Sequence, residues 1–362
     1  MSGIRPLERD DLPQVVELYE RTMRSGSPTP PPGLLGYFER TLLDHPWAEP
    51  DVPSLVYEAR DGRILGFLGS HVRRLQFDGR RIRMGCSGQL VSDPEQRRLA
   101  IGAKLTRSYL SGPQELTITD GATDVVHEMW VNLGGHAAHP GSLAWTRLFR
   151  PGRAVGDRWL ERRGNQRSRR LARAAWPLLD RPARLIARPP ARPTDVEADE
   201  LTPRALIEHQ PHARGDARLW VDYDVPFLDW LFREMAAVRT RGTLTCRLLR
   251  RDGHILGWYV AYMKPHGLSE VMQIAAARRE VGTVLDWLFA DAWRSGAAAI
   301  EGRLEPALYE PLSGRRCVLR YTTRALFHTR DPELAAAISL GGATLTRLDG
   351  EWWMGHHTEP FR

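Results

Sequence analysis

The sequence predicts an α+β (α/β) fold built twice, each copy a mixed, mostly antiparallel sheet flanked by helices. Three observations predict it: strand-like runs separated by Asp-Gly turns, helical runs of 3.6-residue period between them, and a partial recurrence of this order in the second half. At 362 residues the chain exceeds what one small hydrophobic core organises. Two domains are therefore expected, over residues 1–150 and 197–362, joined by a linker over 151–196.

The first half opens with a strand over Gly3–Leu7 and a helix with Asp11 as N-cap and Leu12, Val15, Val16, Tyr19 and Met23 on one face. Past the proline-rich stretch Pro28–Pro32, strands over Ser54–Ala59, Ile64–Gln76 and Arg80–Val91 are linked by turns at Asp61-Gly62 and Asp78-Gly79. This is an antiparallel meander. A helix over Ile101–Leu110, stopped by Gly112-Pro113, leads to a strand over Glu115–Thr119 and a helix over Thr123–Leu133.

The second half repeats parts of this order. Asp61-Gly62-Arg63-Ile64-Leu65-Gly66 returns as Asp252-Gly253-His254-Ile255-Leu256-Gly257, and Leu133-Gly134-Gly135 as Leu340-Gly341-Gly342. Between these echoes lie a strand over Glu270–Ala277, a helix over Val281–Trp293 and a strand over Ala299–Leu304. Two echoes in matching order around a strand, helix, strand core point to duplication.

Charge is concentrated in one place. The net charge is +7, yet Arg147 to Pro193 alone holds fourteen arginines against three acids, so the rest of the chain is mildly acidic. Six prolines (151, 177, 182, 189, 190 and 193) mark the same stretch as a connection. It reads as a solvated linker, or as a basic helix from Trp159 to Trp176 touching an anionic membrane surface. Nucleic acid is the less favoured partner, because the arginines lack interleaved aromatic residues for base stacking. Cys86, Cys246 and Cys317 are far apart, with no metal-ligand spacing, so neither a disulfide framework nor a metal site is expected. No apolar run reaches the length of a bilayer span and no secretory leader is evident, which gives a cytoplasmic expectation.

The chemistry-bearing segment is Ser92-Asp93-Pro94-Glu95-Gln96-Arg97-Arg98-Leu99-Ala100-Ile101-Gly102-Ala103-Lys104-Leu105, between an expected strand and an expected helix. Small residues at 100, 102 and 103 let the backbone turn tightly and approach a ligand. The first N–H groups of the helix point out of its end with about half a positive charge, which suits a diphosphate, and Arg97 and Arg98 add mobile charge.

This run resembles the acetyl-CoA-binding signature of the GNAT superfamily, Gln/Arg-x-x-Gly-x-Gly/Ala. Arg97 matches the leading residue, Ala100 the first glycine and Gly102 the Gly/Ala position, with Pro94 and Leu105 also in place. Ala100 is the departure, placing a methyl group near the phosphates. The element order extends the resemblance over residues 4–150 and, more faintly, 197–353.

The resemblance implies tandem GNAT-like domains and an acyl-CoA site. Its cofactor-contacting residues are Leu90, Val91, Arg97, Arg98, Leu99, Ala100, Ile101, Gly102 and Ala103, with the pantetheine arm pairing against the backbone at Leu90 and Val91 between two parting parallel strands. It implies transfer of an acyl group from acetyl-CoA, or another acyl-CoA, to the primary amine of a small metabolite, amino sugar or peptide. Many members carry a tyrosine on the helix before Leu-Gly, where this chain has Trp130, an N–H donor that cannot supply a proton.

The titratable candidates are Asp120, His127 and Glu128, each with a structural alternative as helix cap or surface pair. His136 and His139 flank the next loop. In the second half the corresponding turn reads Ala277-Arg278-Arg279-Glu280-Val281-Gly282, where Glu280 opposes a phosphate, so that half is expected to be structural or to shape the acceptor site. Asp349-Gly350-Glu351-Trp352-Trp353 reads as a terminal hairpin at the core edge, or as tryptophans able to stack on a sugar. Two other functions remain open: an aminoacyl-tRNA-dependent transferase of the FemABX type, and a non-catalytic acyl-CoA sensor. The oligomeric state is not read from the sequence.

Overall fold

The computed structural model describes residues 3–27, 29–138, 140–150, 189–322, 324–355 and 357–361. In chain order the elements are β1 (Gly3–Pro6), α1 (Leu12–Met23), α2 (Pro32–Phe38), β2 (Leu55–Glu58), β3 (Ile64–Phe77), β4 (Arg80–Ser92), α3 (Ile101–Leu110), β5 (Leu116–Ala122), α4 (Asp124–Asn132), β6 (His136–Ala137) and β7 (Leu143–Leu148). There follow β8 (Glu197–Glu200), α5 (Pro203–Arg214), β9 (Leu219–Val221), α6 (Val225–Ala237), β10 (Thr243–Arg251), β11 (His254–Met263), β12 (Leu268–Ala276), α7 (Val281–Arg294) and β13 (Ala299–Arg303). The last are α8 (Tyr309–Leu312), β14 (Cys317–Tyr321), β15 (Arg324–His328), α9 (Pro332–Ser339) and β16 (Ala343–Thr344).

The elements form two compact units. The first comprises Met1–Ser142, Asp216–Thr240 and Thr323–Arg362, the second Leu143–Gly215 and Arg241–Thr322. The units are thus discontinuous, whereas contiguous halves 1–150 and 197–362 were expected. Of the expected linker, residues 151–188, with the basic helix read there, lie outside the described residues.

In the first unit the sheet runs β1-β2-β3-β4-β5-β15-β6, with β9 joining β3 and β16 joining β9. All pairs on the main path are antiparallel except β4 with β5. The Asp78-Gly79 turn is a two-residue hairpin with both φ angles positive (48° and 81°), the conformation Asp-Gly favours. β15 comes from late in the chain and pairs antiparallel with β5, Leu326 opposite Thr119. In the second unit the order is β14-β7-β13-β12-β11-β10-β8, again with one parallel pair, β12 with β13. β7, which follows the first half's last expected helix, pairs with β13 and β14. Residues 143–148 therefore belong to the second sheet and 324–328 to the first, an exchange that no local sequence pattern encodes.

α3 is seated by its buried face. Ile101, Leu105 and Tyr109, spaced four apart, are buried with Val52, Leu55, Leu65 and Leu68. Gly66 of β3 admits the helix: a Cβ there would lie 2.3 Å from Ile101 Cγ2. The Tyr109 hydroxyl bonds Ser70 Oγ at 2.7 Å and lies where a side chain on Gly85 would stand. These contacts hold the N-terminus of α3 at the end of β4. Asp11 differs from its expected role. No α1 amide reaches its side chain, which accepts from Glu8 N–H and pairs with Arg5, closing the preceding 3-10 turn.

Candidate functional site

β4 and β5 pair in parallel only at Met84–Leu116, Gly85–Thr117 and Cys86–Ile118, although β4 continues to Ser92 and β5 to Ala122. Beyond Cys86 the two strands part. A β-bulge accounts for the divergence: Phe67 faces Val91 and Gly69 faces Gly88, so Gln89 and Leu90 together oppose Leu68. Gln89 takes φ 49°, and its side chain crosses to the space left by Gly69 and to His71 Nε2 at 3.0 Å. A bulge bends its strand and adds twist, which turns β4 away from its neighbour.

β4 then enters the turn to α3. Asp93 accepts from Glu95 N–H at 2.9 Å and meets Arg21 at 3.2 Å, which fixes the start of the 3-10 turn Pro94–Leu99. Ala100 follows in the left-handed region (φ 49°, ψ 41°) and is the N-cap of α3, with no side-chain cap. The first helical bond runs from Lys104 N–H to the Ala100 carbonyl, so the N–H groups of Ile101, Gly102 and Ala103 face out of the helix end. A Cβ on Gly102 would meet nothing within 4 Å. Arg97, Arg98, Leu99 and Ala100 are exposed, and neither arginine forms an ion pair among the described residues. The corner is thus an open, positively polarised cradle of backbone amides.

The left-handed Ala100 explains why the resembling signature has glycine there, since a Cβ in this conformation costs about 1–2 kcal/mol. Ala100→Gly is expected to raise stability by about 1 kcal/mol and to tighten CoA binding. Urea midpoints of the two proteins check this.

The far side of the parting strands is lined by a buried polar cluster that sequence reasoning missed. Arg73 of β3 is fully buried. Its Nε donates to the Asp349 carbonyl at 2.9 Å and its Nη2 to the Gly350 carbonyl at 3.3 Å, while the guanidinium lies 5.1 Å from the Phe227 ring centroid. Asp349 is buried, accepting from Thr346 N–H and hydroxyl at 2.6 and 2.8 Å and from the Tyr223 hydroxyl. Burial pushes its carboxyl proton affinity up. Glu351 accepts from the Thr119 hydroxyl at 2.9 Å and from Asp120 N–H at 3.2 Å. Burial, and then the charge of Asp120, raise its pKa well above the usual carboxylate range. Residues 349–353 are therefore not an edge hairpin: Asp349 and Glu351 run into this cluster and Trp353 is buried. The available signal was polar residues where burial was expected, Arg73 within an apolar strand and Glu351 beside two tryptophans.

His71 sits in the same cluster, bonded to the Thr41 carbonyl at 3.2 Å, and burial followed by the Arg73 charge lowers its pKa to about 4. Its folded value lies below the unfolded one of about 6.5, so the unfolded chain takes up a proton first on acidification. The stability His71 confers is present above pH 6.5 and is lost as pH falls toward 4, a change of roughly 3 kcal/mol. His71→Gln is expected to flatten the urea midpoint across that window.

Of the sequence-derived candidates, Asp120 lies at the parting of the strands, only 5% exposed. The cap of α4 is Thr123, so Asp120 does not serve there. His127 is half-buried and Glu128 exposed on α4. Trp130 is a core residue, packed with Leu110, Ala122 and Leu326. His136 stacks on Phe327 at 5.3 Å, and His139 lies outside the described residues.

The second unit has the same opening but a different corner. β12 and β13 pair only from Leu268–Ala299 to Glu270–Glu301, after which β12 bulges at Met272. Glu280 precedes α7 and meets Arg251 at 3.5 Å. Arg315 forks onto Asp286 with two 2.8 Å bonds, and its Nη2 stands 2.8 Å from where a Cβ of Gly282 would be. The chain's own guanidinium fills that helix end. Among the described residues no His/Cys/Asp/Glu group has metal-site geometry and no helix is long and apolar enough to cross a membrane.

No family model matches the chain, and no curated protein matches it in sequence. Solved structures do match in fold. A conserved protein of unknown function, a probable N-acyltransferase from Enterococcus faecalis V583, superposes with a TM-score of 0.59 at 10% identity over 91% of this chain and 73% of its own. A GCN5-related N-acetyltransferase from Anabaena variabilis ATCC 29413 gives 0.58 at 11% identity, covering 92% and 74%. Another from Kribbella flavida gives 0.55 at 13% identity, covering 94% and 73%. At such identities the likeness is one of architecture, and the chain has the GNAT fold that the Arg97–Gly102 turn led the sequence reading to expect.

Proposed function

We propose that this protein is an acyl-CoA-dependent N-acyltransferase, moving an acyl group, acetyl first among the options, to a primary amine of a small metabolite, amino sugar or peptide. One observation carries the reading: the uncapped amides of Ile101, Gly102 and Ala103 stand at an open corner beside a parallel pair that parts after Cys86–Ile118. Free amides at a helix N-terminus suit a diphosphate. The unpaired edge of β4 at Leu90 and Val91 offers backbone donors and acceptors to an extended pantetheine arm. Arg97 and Arg98 are exposed next to the corner and supply long-range attraction.

Bringing the amine and thioester together in the cleft between parting strands supplies much of the rate. In this reading the two units are tandem copies and only the first binds cofactor, because Arg315 occupies the corresponding place at Gly282. Trp130, buried in the core, leaves no phenol at the position where many GNAT enzymes hold a proton donor. That observation favours a second reading, an acyl-CoA sensor without turnover. Calorimetric titration of acetyl-CoA and CoA, followed by thiol release across a panel of primary amines, separates the two. Binding with turnover supports the transferase, binding without thiol release supports the sensor, and no binding removes both.

A further inference from the structure

Glu351 lies across the point where β4 and β5 separate. Its Cγ and Cβ are 3.1 and 3.5 Å from the position a Cβ would take on Gly88 of β4, two residues past the last parallel pair. Its Oε1 reaches β5, accepting from Thr119 and Asp120 as described. The Glu351 side chain therefore packs on β4 through its methylene groups and bonds β5 through its carboxyl. Gly350 brings the second carboxyl close, because a Cβ on it would stand 2.2 Å from Asp120 Oδ2. Asp120 and Glu351 are 5% and 6% exposed, and their two carboxyl groups are in direct side-chain contact. Two buried carboxyls in contact share a proton, which leaves a single negative charge between them.

We infer that Asp120 and Glu351 form one carboxyl pair that contacts the acceptor nitrogen and takes its proton during acyl transfer, with Glu351 supplied by the C-terminal segment as a catalytic residue. The inference rests on the transferase reading given above. The nitrogen lone pair of the neutral amine forms the C–N bond to the thioester carbonyl carbon. The C–S bond breaks and its electrons remain on sulfur. The surplus N–H proton passes to the pair and then to the thiolate, so the amide and the free thiol are the only products and no proton is gained or lost.

Two carboxyls confined together cannot both ionise easily, and burial, with the Asp120 charge beside it, holds Glu351 well above the usual carboxylate range. A base is most effective when it titrates near the working pH. The charged and titratable groups facing Glu351 are Asp120 on β5, Cys86 on β4, Arg73 and His71 on β3, Tyr109 on α3 and Asp349 on its own segment. Burial pushes the Cys86 and Tyr109 protons beyond reach of the neutral range. Arg73 donates to the carbonyls of Asp349 and Gly350 rather than to the pair.

The test uses the full chain, acetyl-CoA and a primary-amine panel. For Glu351→Gln, acetyl-CoA affinity is expected to stay within about two-fold while kcat falls at least about 100-fold. The acid limb of kcat/KM against pH is expected to move to lower pH, because the remaining carboxyl no longer faces a like charge. Asp120→Asn is expected to do the same. Wild type at neutral pH is expected to show the infrared C=O stretch of a protonated carboxyl, a readout that needs no variant. Wild-type kcat and an unmoved limb in Glu351→Gln, or no such band in wild type, overturns the pair while leaving the transferase standing. Failure of wild type to bind acetyl-CoA overturns both.

Discussion

Gly102→Glu is expected to weaken acetyl-CoA binding at least 100-fold, a loss of about 2.7 kcal/mol or more, without weakening the fold. The glycine sits in the first turn of α3 with free space where a side chain would begin, so the substitution meets no steric cost. An acidic residue in a first helical turn is favourable by about 0.3–1 kcal/mol, and glycine is a poor helix former, so folding stability holds or rises slightly. Bound phosphate reverses the sign. A carboxylate about 4 Å from a phosphate oxygen costs about 4 kcal/mol at the effective dielectric of a protein surface. Opposite changes in stability and affinity from one substitution are hard to obtain from misfolding, and calorimetry beside urea denaturation reads both.

The largest effect on stability is expected at Arg73. Its guanidinium is fully buried, donates to the carbonyls of Val72, Asp349 and Gly350, and lies against the Phe227 ring. Arg73→Met leaves those carbonyls without their donor and removes the cation nearest buried Asp349. Breaking one side of a buried polar arrangement costs about 3–5 kcal/mol. Arg73→Lys is expected to recover only part of this, because an ammonium lacks the planar fork that reaches two carbonyls at once. Urea denaturation followed by fluorescence of Trp230 and Trp353, both in the first unit, measures the loss.

The legibility of the molecule divides along a physical line. Local signals read well: the Asp78-Gly79 hairpin, the meander and the strand-to-helix turn at 92–105 all rest on interactions within a few residues. At the start of α7 the sequence offered Glu280, which opposes an anion, whereas Arg315 beside Gly282 was invisible 33 residues away. What sequence could not supply was sheet membership. A strand such as Leu143–Leu148 has the same alternation whichever sheet it joins, and only tertiary packing assigns it to the second unit.

The same limit hid the carboxyl that meets Asp120. Asp120 was read as one of three titratable candidates, but its partner Glu351 lies 231 residues further on in a segment read as an edge hairpin. Trp130 was read as unable to supply a proton at the family's tyrosine position, and its ring fills a core with Leu326 from the late strand β15. Burial of charge was the useful clue, because evolution rarely buries Arg73, Asp349 and Glu351 together without giving them partners.

The account stands on the amides of Ile101–Ala103, and a crystal structure grown with CoA tests them most directly. The expected result is the diphosphate within hydrogen-bond distance of those N–H groups, with the pantetheine running along β4 at Leu90 and Val91. CoA bound anywhere else, including the Glu280–Gly282 corner of the second unit, would contradict it.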